Sequence, residues 1–152
     1  MIIYLTGSSS SDADKTSMVG LAQQLEHAGH TLSWPGALFQ EEDIRDLGQS
    51  APNVIFESCR IAMDRCACVV ARLENGETNG GTAWEVGYAH AKGLPVYGLD
   101  TGNGRAGEQP SLAATMVQGC LAEQAATLQD LLDLLAEAGG SRAITREAMR
   151  RG

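Results

Sequence analysis

The chain has 152 residues, 43% of them hydrophobic, and its 19 acidic against 11 basic residues give a net charge of −8. That length and apolar content suit one globular domain with a single core. The acidic balance argues against a nucleic-acid polymer or an anionic membrane surface as partner, and no apolar run approaches the length of a membrane span.

Met1–Leu5 lacks the basic lead-in and the length of a secretory signal, so a cytoplasmic location is expected. Ile2–Thr6 reads as a short apolar strand. Gly7-Ser8-Ser9-Ser10-Ser11 breaks it, and Ser11 or Asp12 is suited to cap a helix reaching about Ala28. Within that helix Met18, Leu21, Ala22 and Leu25 recur at helical spacing. Thr31–Trp34 follows as a second short strand, closed by Pro35-Gly36. A helix is expected from about Asn53 to Arg65, with Ile55, Cys59, Ala62 and Met63 on its buried side. The next run, Ala67–Leu73, is almost wholly apolar, as in the middle of a parallel sheet. Strand alternation puts Cys66 and Cys68 on one face, as buried thiols of a reducing compartment. No second cysteine pair or histidine spacing accompanies them, so neither a metal nor a cofactor is expected.

Thr82–Lys92 reads as helix and Val96–Leu99 as strand. Asp100–Pro110 is a glycine-rich loop, Ser111–Val117 a short helix and Leu128–Ala138 a periodic one. Gly139-Gly140 then releases a basic tail with Arg142, Arg146, Arg150 and Arg151, expected to be solvated. The division is therefore a domain over 1–138 and a tail over 139–152. The alternation of strands and helices argues a single doubly wound α/β domain: a mostly parallel, flavodoxin-like sheet of about five strands with helices on both faces. Ligands of such sheets sit beyond the carboxyl ends of the strands. The loops Gly7–Asp14, Glu74–Thr82 and Asp100–Pro110 are thus expected to converge on one cleft.

Asn79-Gly80-Gly81-Thr82-Ala83-Trp84-Glu85 is the most informative stretch. Its glycines let a ligand approach the backbone, and a helix start favours an ionised acid nearby. Glu85 is accordingly a candidate nucleophile. The alternative is structural: Thr82-x-x-Glu85 is also a capping box, in which the glutamate bonds back to the Thr82 N–H. Trp84 reads as packing or interface, His90 as a solvated helix-end histidine, and Asp12 and Asp14 as first-turn helix acids.

Three features together resemble the nucleoside 2-deoxyribosyltransferase family. They are Tyr4 in the first strand, the strand and loop Val69–Gly76, and Asn79-Gly80-Gly81-Thr82-x-x-Glu85-x-Gly87-x-Ala89. Gly104-Arg105-Ala106-Gly107 echoes the loop after the next strand. The resemblance runs from residue 1 to about Met116 and is densest over 66–105. It implies double displacement at the sugar's anomeric carbon, with Glu85 as nucleophile, Tyr4 as its partner and a nucleoside or nucleotide as substrate. It also implies a homodimer or larger assembly whose sites are completed by a neighbouring subunit.

The departures from the family pattern bear on substrate. The aspartate that holds the sugar hydroxyls is here Asn79. The aspartate linked to protonating the base falls on Ala67, with Asp64 nearby as the replacement candidate. Of the family's Asn-x-Met only Met116 matches. Gly7, Ser8, Ser9, Gly81 and Thr82 complete the expected substrate contacts. A neutral amide at 79 tolerates a 5′-phosphate that an aspartate repels, and the serine run precedes a helix N-terminus of the kind that binds phosphate. Three functions are therefore weighed: deoxyribosyl transfer between nucleobases, 5′-monophosphate N-glycoside hydrolysis as in related enzymes, and nucleoside binding without efficient catalysis.

Overall fold

The structure, a computed structural model, describes residues 1–74, 76–102 and 109–151, with the side chains of 141–148 and 151 left aside. Five strands, β1 (Ile2–Gly7), β2 (Thr31–Ser33), β3 (Cys68–Leu73), β4 (Val96–Asp100) and β5 (Glu123–Ala125), form one sheet in the order β2-β1-β3-β4-β5. Every pairing is parallel. This is the flavodoxin-like winding order, whose direction reverses between β1 and β3 and opens a crevice there.

Helices α1 (Asp12–His27), α2 (Glu41–Leu47), α3 (Ala51–Asp64), α4 (Gly80–Ala91), α5 (Leu112–Cys120) and α6 (Leu128–Arg151) connect and follow the strands. Strand alternation splits the buried apolar side chains into two layers. Ile3, Leu5, Cys68, Val70, Tyr97 and Leu99 face one way and meet Met18, Leu21 and Leu25 of α1 and Leu131 and Leu135 of α6. Tyr4, Val69, Ala71 and Val96 face the other way and meet Met63 of α3, Val86 and Ala89 of α4 and Val117 of α5.

Several expectations change at element ends. Cys66 and Cys68 do not share a face: β3 begins at Cys68, so Cys66 lies outside the alternation and packs in the opposite layer. The helix α2 was not read from the sequence; its acidic first turn, with Asp43 bonded back to the Gln40 N–H, is the signal that marks it. Strand β5 was also missed. Glu-Gln-Ala has little β propensity, and it is ordered by pairing with β4 and by Ala125, buried in the core. Finally, α6 continues through Gly139-Gly140 to Arg151 instead of releasing a tail. Two interior glycines cost about 1 kcal/mol each, and the stretch that follows, with four Arg and two Ala over 141–151, favours helix strongly enough to carry it on.

Gly7 ends β1 where α1 crosses below it. A Cβ there would lie 2.6 Å from Met18 Sδ and 3.0 Å from Arg72 Cβ, and Met18 is fully buried. Gly7→Ala is therefore expected to lower stability by about 1–3 kcal/mol, read as a lower denaturant midpoint at unchanged slope.

Candidate active site

β1 supplies the floor of the site. Tyr4 and Thr6 are two residues apart, so their side chains leave the same face of the strand, the face on which α4 packs. On α4 the buried residues are Thr82, Val86 and Ala89, and Glu85 projects from the edge of that stripe. The Tyr4 hydroxyl donates to Glu85 Oε1 at 2.5 Å. The Thr6 hydroxyl donates to Glu85 Oε2. Thr6 Oγ1 also lies 3.0 Å from Thr82 Oγ1. With the Thr6 proton given to the carboxylate, Thr82 is the donor of that third bond. Both carboxylate oxygens are thus fixed by hydroxyls.

This geometry decides the capping question. α4 starts two residues earlier than read, and its N-cap is Asn79, whose Oδ1 accepts from the Thr82 N–H at 2.7 Å. The carboxylate of Glu85 is in the second turn and makes no cap. Burial pushes the Glu85 carboxyl above the usual carboxylate range, while hydrogen bonds from Thr6, Tyr4 and Cys59 pull it back. Burial, and then the charge of Glu85, raise the Tyr4 phenol far above its normal value, so it stays protonated as a permanent donor. Burial likewise raises the Cys59 thiol.

Glu85 opens into a cavity of about 620 Å³, within the range of small-molecule sites. Its polar end holds Thr6, Asn79, Gly81, Thr82 and Glu85. Its walls are Trp34 and Phe39 from the segment after β2, Ile44 of α2, Ile55 and Phe56 of α3, and Trp84. Phe56, Trp84 and Tyr88 form a contiguous aromatic row, with centroids 5.0 and 5.3 Å apart. Among the described residues that line the cavity, Glu85 is the one charged side chain. No group of three or more His, Cys, Asp or Glu suited to a metal ion occurs among the described residues.

The structure brings Tyr4, Gly7, Ser9, Asn79, Gly81, Thr82 and Glu85 to this place. It does not bring Asp64. The Asp64 carboxylate lies outside, held by Arg60 at 3.3 Å, the Tyr88 hydroxyl at 2.9 Å and Lys92 at 3.6 Å. Met116 stands exposed on α5. Ser8 turns away as well: with Ser10 and Ser11 it donates to Asp14 Oδ2, while Arg72 pairs with the other oxygen at 3.3 Å. These hydrogen bonds, Ser11's foremost, hold the Asp14 carboxyl below its ordinary range. A side-chain anion of the chain itself therefore occupies the start of α1. Of the three loops expected to converge, the first two do. The third touches the second through Asp100, which accepts from the Gly76 N–H at 2.6 Å, and Gly104-Arg105-Ala106-Gly107 lies outside the described residues.

Sequence reasoning overlooked Thr6, which the strand period pairs with Tyr4, and assigned Cys59 to packing alone. Phe39 and Ile44 of the cavity wall came from the unread segment 37–48.

The chain is matched over residues 3–138 by the family model described as nucleoside 2-deoxyribosyltransferase. Among solved structures it resembles a 2-deoxyribosyltransferase from Bacillus psychrosaccharolyticus at 20% identity and a TM-score of 0.71, covering 87% of this chain and 90% of that one. A conserved protein from Enterococcus faecalis gives 20% and 0.70, covering 88% and 95%. A CMP N-glycosidase from Clostridium botulinum gives 16% and 0.57, covering 90% and 98%. No curated protein matches at the sequence level. At these identities the structural likenesses bear on the fold. The family match spans most of the chain and coincides with the Asn79–Ala89 motif and the clamped Glu85, and by it the chain belongs to the nucleoside 2-deoxyribosyltransferase family.

Proposed function

We propose that the chain cleaves the N-glycosidic bond of a 2′-deoxynucleoside through a glycosyl-Glu85 intermediate and transfers the sugar to a second nucleobase. The observation that carries this reading is the two-hydroxyl clamp on the one charged residue of an otherwise apolar cavity. A Glu85 oxygen bonds to C1′ as the C1′–N bond breaks, and the departing base takes the bond's electron pair and a proton from water, which regains one from the incoming base. An incoming base attacks C1′ next, the C1′–O bond breaks, and the carboxylate is restored as that base loses its proton. Tyr4 and Thr6 fix the nucleophile's direction before the substrate arrives. The aromatic walls suit the faces of a base, and Asn79, with Oδ1 engaged by the helix, turns its amide donors to the sugar end. The family's shared-site arrangement extends the reading to a homo-oligomer, for which Leu112 and Met116 on α5 are exposed contact residues.

Two observations favour a free nucleoside. No Lys, Arg or His lines the cavity among the described residues, and the serine hydroxyls after β1 are engaged by Asp14. One observation favours the second reading, hydrolysis of a 5′-monophosphate: position 79 carries a neutral amide. Incubating deoxyinosine with adenine separates the two. Transfer yields deoxyadenosine; the second reading instead releases base from a 5′-monophosphate without exchange.

Glu85→Gln is expected to abolish turnover while raising stability near neutral pH by about 1 kcal/mol, as removal of a strained active-site group commonly does. The sign follows from linkage. The folded carboxyl binds its proton more tightly than the unfolded one, so wild-type stability falls as pH rises through the raised folded value. The gain from Gln should therefore shrink as pH drops towards the ordinary carboxylate range. Equal instability at every pH would make Glu85 a structural residue.

Tyr4→Phe and Thr6→Val each remove a donor from the ionised carboxylate. Each should move the acidic limb of the kcat/KM profile up by about one pH unit, since hydrogen bonds to charged groups contribute about 1.5–3 kcal/mol. A uniform drop with the limb unmoved would contradict the clamp.

A further inference from the structure

We infer that a second cavity, adjoining the base end of the first, is a subsite for a polar substituent of no net charge on the nucleobase, such as an amino-acid arm. The inference rests on the nucleoside reading above. The second cavity, of about 600 Å³, shares Ser9, Trp34, Gly36, Phe39 and Ile44 with the first and none of Thr6, Asn79, Thr82 or Glu85. The sugar must lie where Glu85 can reach C1′. The shared residues include none of the polar ones that hold Glu85, and three of the five, Trp34, Phe39 and Ile44, are apolar side chains suited to a base.

Beyond that shared wall the lining changes character. Lys15 of α1 and Arg45 of α2 face the space together with Glu41 and Glu42 of α2 and Ser10. Two cations and two anions leave the lining neutral in sum. None of the four is joined to an opposite charge by an ion pair within the structure's described residues. Such a surface offers both a carboxylate and an ammonium a partner. It gives no net attraction to an arm bearing one of them alone, and an alkyl arm would gain nothing from the four charges, which stay hydrated. The first cavity is too apolar to accept such an arm itself, whereas a short chain on the base reaches across the Trp34–Phe39 wall.

The test uses deoxyadenosine and four derivatives carrying propyl, carboxyethyl, aminoethyl or amino-carboxyethyl on the exocyclic amine. Turnover and calorimetric affinity are measured in parallel. The amino-carboxyethyl derivative is expected to exceed the propyl one by about tenfold in both, the effect of two partly exposed ion pairs. Arg45→Gln and Glu41→Gln should each reduce that ratio by about threefold and leave unsubstituted deoxyadenosine unchanged. A propyl derivative as good as the zwitterionic one would overturn the subsite, as would a preference untouched by both variants. A singly charged arm outperforming the zwitterion would overturn its neutral character. Preferential binding with no turnover of any derivative would fault the proposed function and spare the subsite. Turnover without preference does the reverse.

Discussion

Everything in this site depends on holding a carboxylate in a place that disfavours its charge. Taking an ionised carboxyl out of water is costly, and a group left there without donors simply takes up a proton. Here the compensation comes from β1, whose two-residue period delivers a phenol and a threonine hydroxyl to the two oxygens of Glu85. The Thr82 hydroxyl then orients Thr6 from behind. The clamp therefore fixes the register of β1 against α4. A slip of one residue would put Ile3 and Leu5 under the helix and leave the acid without a donor.

The same physics acts a few residues away with a different outcome. Asp14 has serine hydroxyls on one oxygen and an arginine on the other, and lies below its normal range. Glu85 has neutral donors alone, two hydroxyls and the Cys59 thiol, and lies above it. The contrast is one of partners: Arg72 holds Asp14 as a stable anion, whereas Glu85 has no counter-ion among the described residues.

Much of this was legible in the sequence. The apolar runs of β1 and β3 and the α1 periodicity sufficed for the doubly wound fold, and the Gly-Thr-x-x-Glu motif singled out Glu85 as a candidate. Tyr4 followed from resemblance. What stayed hidden was local competition. Thr82 and Asn79 are both good caps, and sequence alone does not say which one the helix adopts; the choice of Asn79 moved Glu85 out of the first turn. Segment 34–48 has few apolar residues at regular spacing, so α2 and the aromatic wall emerge only when Trp34, Phe39 and Ile44 meet α3. Asp64, three residues before Ala67, was near in sequence but lies on the outward side of α3, where Arg60 and Lys92 claim it.

The crossover from β2 to β3 deserves a separate reading. The groups that clamp Glu85 belong to β1 and α4, which are fixed in the sheet and its covering layer. Most of the cavity's apolar wall comes instead from 34–59, which contributes no strand between β2 and β3. The clamp and the apolar wall thus belong to different parts of the chain. Changes along the crossover leave the register that clamps Glu85 untouched, so the outline of the cavity can vary while the β1–α4 clamp stays as it is.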